Sequence, residues 1–191
     1  MLLIASGRAA DAIAAAKTAR ELDPFSARDA THSGMILFMA RQYDRTIVEE
    51  QEALQLDPQR ERARYWLGYA YEQKGMYKEA IAEYERVLPD DDHGIFLAAL
   101  GRSLALAGDS KRAADVKRKI EHFPAGDFVW HYDAALFYAA LGDKDRAFQL
   151  LERDQKEGGG WSTFLNADPR LASLRSDPRF PDLVRGAGLS P

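Results

Sequence analysis

YWLGYAYEQKGMYKEAIAEYERVL, residues 65–88, reads as two helices folded back on each other at Gly75. A three-residue turn between antiparallel helices needs one position tolerant of positive φ, and Gly75 supplies it. Gly68 on the first helix and Ala80 on the second let the helices approach to about 8–9 Å, with Leu67, Tyr71, Tyr77 and Tyr84 filling the space around that contact. Outward from this stretch the same features return at one offset. Leu22-Asp23-Pro24 and Leu56-Asp57-Pro58 lie 34 residues apart, as do Gly34 and Gly68, and Tyr43 and Tyr77. Gly75, Gly108 and Gly142 follow at spacings of 33 and 34, each five residues before an alanine (Ala80, Ala113, Ala147), and Gly7 with Ala12 fits the frame. Arg41 is the exception, standing where the other units have glycine. Pro24 and Pro58 stop the second helix of their units at the preceding aspartate. Each hairpin leaves an apolar face open, so neighbours must stack to bury it.

Residues 65–88 resemble the tetratricopeptide repeat (TPR): Leu67-Gly68, Tyr71, Gly75, Tyr77, Ala80 and Tyr84 fall at that family's signature positions, and the resemblance extends to about Glu157. It implies an all-α fold, a right-handed superhelical solenoid of helical hairpins. Residues 1–157 hold a partial first unit and four hairpins, and residues 158–191 form a glycine joint and short capping helices. The junction Leu88-Pro89-Asp90-Asp91-Asp92-His93-Gly94 ends its helix early, Leu100-Gly101 sits one residue out of frame, and Ala134-Ala135 replaces the usual Leu-Gly.

The two ends depart from the repeat. Met1 to Ser6 read as half a helix without a capping box, either a cut through a longer array or a surface that packs on itself or in a homodimer. At the other end, Asp168-Pro169 and Asp177-Pro178 read as two helix starts, with aspartate as N-cap and proline in the first turn. Trp161, Phe164, Leu165, Leu171, Leu174, Phe180, Leu183 and Val184 are expected to cover the last hairpin. From Tyr138 onward the chain resembles the closing segment of TPR regions in bacterial multidomain regulators. That implies a sensory or interaction module, the alternative to partner binding being a self-association module at the end of a larger signalling or transcriptional regulator.

Composition narrows the function. The 191 residues are 46% hydrophobic and 29% charged, the profile of a folded chain. A net charge of −4 gives no general attraction for nucleic acid or anionic lipid. No cysteine is present, which excludes disulfides, thiolate nucleophiles and cysteine metal sites. No apolar run approaches the roughly 18 residues of a membrane span, so the expectation is a cytoplasmic protein with no membrane partner. His32, His93, His122 and His131 lie in different units without metal-ligand spacing. Asp90-Asp91-Asp92-His93 lacks the alternation of a calcium loop and reads as helix capping. Gly158-Gly159-Gly160 lacks the Lys-Ser/Thr of a phosphate loop. The chain is read as a non-enzyme with no cofactor and no metal.

The resemblance places the first helix of each hairpin on the concave side, so its outward stripe supplies the candidate contacts for a protein or peptide. Residues three or four apart form that stripe. It runs through Arg28, Thr31, Met35 and Phe38 in the second unit, and through Arg62, Tyr65, Tyr69 and Gln73 in the third. Ile95, Ala98 and Arg102 continue it in the fourth unit, and Tyr132, Leu136 and Ala139 in the fifth. Arginine and tyrosine are the residues that dominate binding hot spots. The partner-binding expectation therefore rests on Arg28, Thr31, Arg62, Tyr65, Tyr69, Gln73 and Arg102, with Arg62, Tyr65 and Tyr69 on a wetted surface and Met35 and Phe38 as packing. Thr31, Met35, Trp66 and Ala99 stand where a TPR carboxylate clamp needs Lys, Asn and Arg, so a chaperone-tail receptor is not expected.

Overall fold

The computed structural model describes residues 2–88, 94–122 and 131–190, all of whose regular structure is helical. The Pro89–His93 junction, with the capping reading of its aspartates, lies outside the described residues. Two compact units divide the chain, residues 1–87 and 88–191, so the capping segment shares a unit with the last two hairpins.

The first unit contains α1 (Leu2–Ala5), α2 (Ala9–Leu22), α3 (Ala27–Met39), α4 (Tyr43–Leu56), α5 (Glu61–Gln73) and α6 (Tyr77–Glu85). Successive helices pack against each other, and α3 also touches α5. The stops fall where Asp-Pro places them: α2 ends at Leu22 and α4 at Leu56. One hydrogen-bonded turn closes every hairpin. Met76 N donates to Tyr71 O at 2.9 Å across Gly75, whose φ is 74°, and Gln42 N donates to Leu37 O at 2.9 Å across Arg41. Arg41 holds a φ of 61°, the left-handed region that costs a side-chain-bearing residue about 1–2 kcal/mol. The glycine-to-second-helix contact is equally plain: a Cβ on Gly68 would lie 2.5 Å from the Tyr84 ring. Ile4 on the short α1 is buried, and α1 packs on α2.

The second unit contains α7 (Ile95–Leu106), α8 (Ser110–Glu121), α9 (His131–Ala140), α10 (Lys144–Lys156) and α11 (Phe180–Gly186). Gly101, one residue out of frame, still makes the close helix contact, because a Cβ there would lie 2.6 Å from Val116 Cγ1. Two 3-10 helices lead to α11. Gly160–Phe164 packs on α10 and Pro169–Leu174 on α9, while α11 packs on α10, tied by Gln155 Nε2 donating to Leu183 O at 2.8 Å. All eight apolar residues expected in this cover are buried. The second helix start is displaced: Asp177 accepts from the Arg179 backbone N–H and guanidinium in a turn, and α11 begins at Phe180.

The cover is anchored by buried charge. Asp168 is fully buried, accepts from Tyr132 Oη at 2.8 Å, and meets Arg170 Nη2 at 2.7 Å. The Arg170 side chain is also fully enclosed, 3.8 Å from Asp133, with its guanidinium 5.7 Å from the Tyr132 ring centre and 5.8 Å from that of Trp161. Burial alone would raise the Asp168 carboxyl, but the Arg170 charge and hydrogen bonds hold it below its ordinary value.

Candidate functional site

The face shared by α3 and α5 assembles from the repeat itself. Arg28 lies in the first turn of α3 and Arg62 in the first turn of α5, 34 residues later; both are exposed. Between them lies exposed His32. Burial, then the charges of Arg28, Arg62 and Arg60, hold its imidazole below the ordinary value, with Asp29 opposing. Arg60 caps α5 at the position where Ser26 caps α3. Ser26 accepts from Asp29 N at 3.2 Å, but arginine has no acceptor to offer a helix start. Its guanidinium turns instead to Thr31, with Nε donating to Oγ1 at 2.8 Å while the Thr31 hydroxyl donates to Ala27 O at 3.0 Å.

Beneath this face lies Glu50 of α4, wholly buried against Gly34. The Thr31 hydroxyl proton is committed to Ala27, and neither Glu50 carboxyl oxygen has a hydrogen-bond partner among the described residues. Burial pushes the Glu50 carboxyl well above the ordinary range, against the opposing influence of Thr31 and Arg60.

Farther along α5 the expected wetted tyrosines are core residues. Tyr65 is 7% exposed and Tyr69 0%, in a cluster with Trp66, Phe38 and Tyr84. Tyr65 and Tyr69 meet edge to face at 4.8 Å, and Tyr69 meets Tyr84 at 5.7 Å. The correction has a physical cause: every residue from Tyr65 to Ala70 is buried, so this part of α5 has no open stripe, and only its first turn is exposed. Thr31 and Arg102 are buried too, at 1% and 6% exposure. Arg102 belongs to the second unit, where its Nη1 donates to Leu136 O at 3.3 Å and ties α7 to α9. Gln73 is half-buried and accepts from Tyr43 Oη at 3.4 Å. Met35, Phe38, Leu136 and Ala139 are buried, as packing requires. The structure thus gathers Arg28, Thr31 and Arg62 around His32 and Arg60. His32 and Arg60 were not among the contact candidates. Arg60 stands one residue before α5, off the helical stripe, and the signal that could have found it was an arginine in the N-cap place of Ser26.

On another side of the same unit a cleft of about 340 Å³ is bordered by Ile13, Arg20, Pro24, Leu37 and Glu49. Arg20 is committed there to Glu49 at 3.2 Å and Glu52 at 2.9 Å. Among the described residues no group of three or more His, Asp or Glu is placed to hold a metal, and no helix is long and apolar enough to cross a membrane.

Comparison with known proteins agrees with this architecture. Residues 37–102 match the tetratricopeptide-repeat family model. Among solved structures, the chain superposes with a TM-score of 0.51 on YrrB, described as a TPR protein with an unusual peptide-binding site. The match has 22% identity and covers 91% of this chain and 90% of that one. No curated protein is significantly similar in sequence. The helical-hairpin fold is that of a TPR protein, and residues 37–102 carry the sequence pattern of the tetratricopeptide-repeat family.

Proposed function

We propose that this chain is a protein- or peptide-binding module whose partner docks on the α3/α5 face at Arg28 and Arg62. The observation that carries this reading is the pair of exposed arginines, one repeat apart, each in the first turn of a helix whose buried body, with Thr31 on α3 and Tyr65 and Tyr69 on α5, holds it in place. A rigid support keeps the ordering cost of binding low, and arginine is a favoured hot-spot residue. Thr31, Tyr65 and Tyr69 act in this reading as support rather than contact, and Gln73 marks the far end of the face. The peptide-binding site ascribed to YrrB supports the general reading. The proposed setting is a cytoplasmic bacterial regulator in which residues 158–191 close the array as a cap, following the resemblance of the segment from Tyr138 onward to regulator C-termini.

The test is partner recovery from the native cells with the wild-type chain and with an R28A/R62A variant. Recovery should fall by an order of magnitude or more while circular dichroism and melting stay unchanged. Equal recovery would refute the site. Self-association is the alternative, favoured by Leu22 and Phe25, each 82% exposed at the α2–α3 connection. Sedimentation at rising concentration separates the two readings.

A further inference from the structure

The charge on the α3/α5 face is left unbalanced by a chain with ample acid to balance it. The sequence holds 30 acidic residues against 26 Lys and Arg. In the first unit Arg8, Arg20, Arg64 and Lys74 each meet a carboxylate. Arg28, Arg60 and Arg62 form no ion pair among the described residues, yet all three lie near enough to act on His32. Asp29 acts on His32 in the opposite sense. Glu50, which lies near Arg60 and Arg62, is buried with neither oxygen hydrogen-bonded. Three guanidinium groups thus lie near one imidazole, those of Arg28 and Arg62 on exposed side chains and that of Arg60 turned to Thr31.

We propose that the partner of this face is an acidic peptide segment whose side-chain carboxylates pair with Arg28 and Arg62, with Arg60 as a third anchor. The proposal rests on the module reading above and adds the chemistry of its ligand. Arginine forks receive carboxylates through two parallel N–H···O bonds, the strongest of the common polar contacts. Arg28 and Arg62 occupy matching turns of helices that pack side by side, which puts the two anchors about 10 Å apart. An extended chain advances about 3.3 Å per residue, so acidic residues about three apart reach both arginines. The net charge of −4 gives the surface as a whole no attraction for acidic segments, so their binding must draw on local groups of cations such as this one.

The charges that act on His32 are Arg28 and Asp29 from α3, Arg62 from α5 and Arg60 at its N-cap; Glu50, the buried carboxyl from α4, lies near Thr31 and Arg60. Carboxylates brought to the arginines offset the repulsion on the protonated imidazole, so a bound acidic peptide must raise the His32 pKa.

The experiment is fluorescence anisotropy with a labelled Ser/Gly peptide carrying Glu at every third position, beside the same peptide with Gln at those positions. The Glu peptide should bind, weaken with added salt, and raise the His32 pKa in a proton NMR titration. The Gln peptide should bind at least tenfold more weakly. The R28E/R62E variant should lose the Glu peptide and gain affinity for the matching Lys peptide, which no folding defect would produce. Equal binding of Glu and Gln peptides, undiminished binding to R28E/R62E, or tighter binding of a single-stranded oligonucleotide than of the Glu peptide would overturn the proposal. If neither peptide binds while R28A/R62A still abolishes partner recovery, the acidic class is wrong and the docking face stands.

Discussion

Two fully buried carboxyls, one in each unit, are held in opposite ways. In the first, Glu50 is sealed among α3, α4 and α5 with no hydrogen bond to either oxygen, and burial drives it toward its neutral form. In the second, Asp168 is just as deeply buried, but Arg170 and Tyr132 surround it and hold it ionised. The difference follows from where each charge sits. Glu50 lies inside a repeating hairpin whose cohesion comes from glycine contacts and aromatic packing, so its carboxyl contributes little to assembly. Asp168 joins the non-repeating cover to α9, a junction for which the repeat provides no packing rule, and a charged cluster fixes the register instead.

This contrast can be broken experimentally. The largest effect is expected from D168A, which removes the closest carboxylate from the buried Arg170 guanidinium, leaving Asp133 at 3.8 Å, and should cost about 3–5 kcal/mol in chemical denaturation. In wild type, this carboxyl's folded-state pKa is depressed. Its contribution is therefore complete above the ordinary aspartate range and is lost as pH falls through that range to the depressed value. A D168A chain of unchanged stability would show that the cover is held by apolar contacts alone.

Next in size is G68A, whose new Cβ would meet the Tyr84 ring at 2.5 Å and should destabilise the first unit by about 1–3 kcal/mol in a thermal melt. A neutral result would mean that α5 and α6 are free to separate.

E50Q should act in the opposite sense to D168A. The Glu50 pKa is raised on folding, so the folded chain binds the extra proton, and stability falls as pH rises above the ordinary glutamate range. The variant should melt higher than wild type at neutral pH, and the gap should close below about pH 4. The smallest effect is expected from R41G, which relieves a φ of 61° and should stabilise the first unit by up to about 1 kcal/mol in urea titration.

The repeat frame was legible because its determinants are local. A glycine at a turn, a proline after aspartate and a small residue opposite an aromatic ring each act within one hairpin, so one sequence period exposes them all. The apolar set of the cover was legible for a similar reason, since an array must end in a covered face. The charged anchor was not, because Tyr132 and Asp168 meet only after 36 residues of chain fold back. Tyr65 and Tyr69 misled because residues three or four apart on a helix share a stripe, and that spacing does not tell an open stripe from one enclosed on every side. The arginine cluster was half legible: Arg28 and Arg62 stand out by period, whereas Arg60 joins them only because a residue unable to cap α5 reaches across to Thr31.

The central claim is that unpaired arginines on the α3/α5 face receive the partner. The most direct measurement is an NMR titration that follows arginine Nε–Hε signals as the Glu peptide is added. The signals of Arg28, Arg60 and Arg62 should move together and saturate, while those of Arg20 and Arg64, already paired with glutamates, stay in place. Shifts spread evenly over all arginines, or confined to those outside this face, would contradict the account.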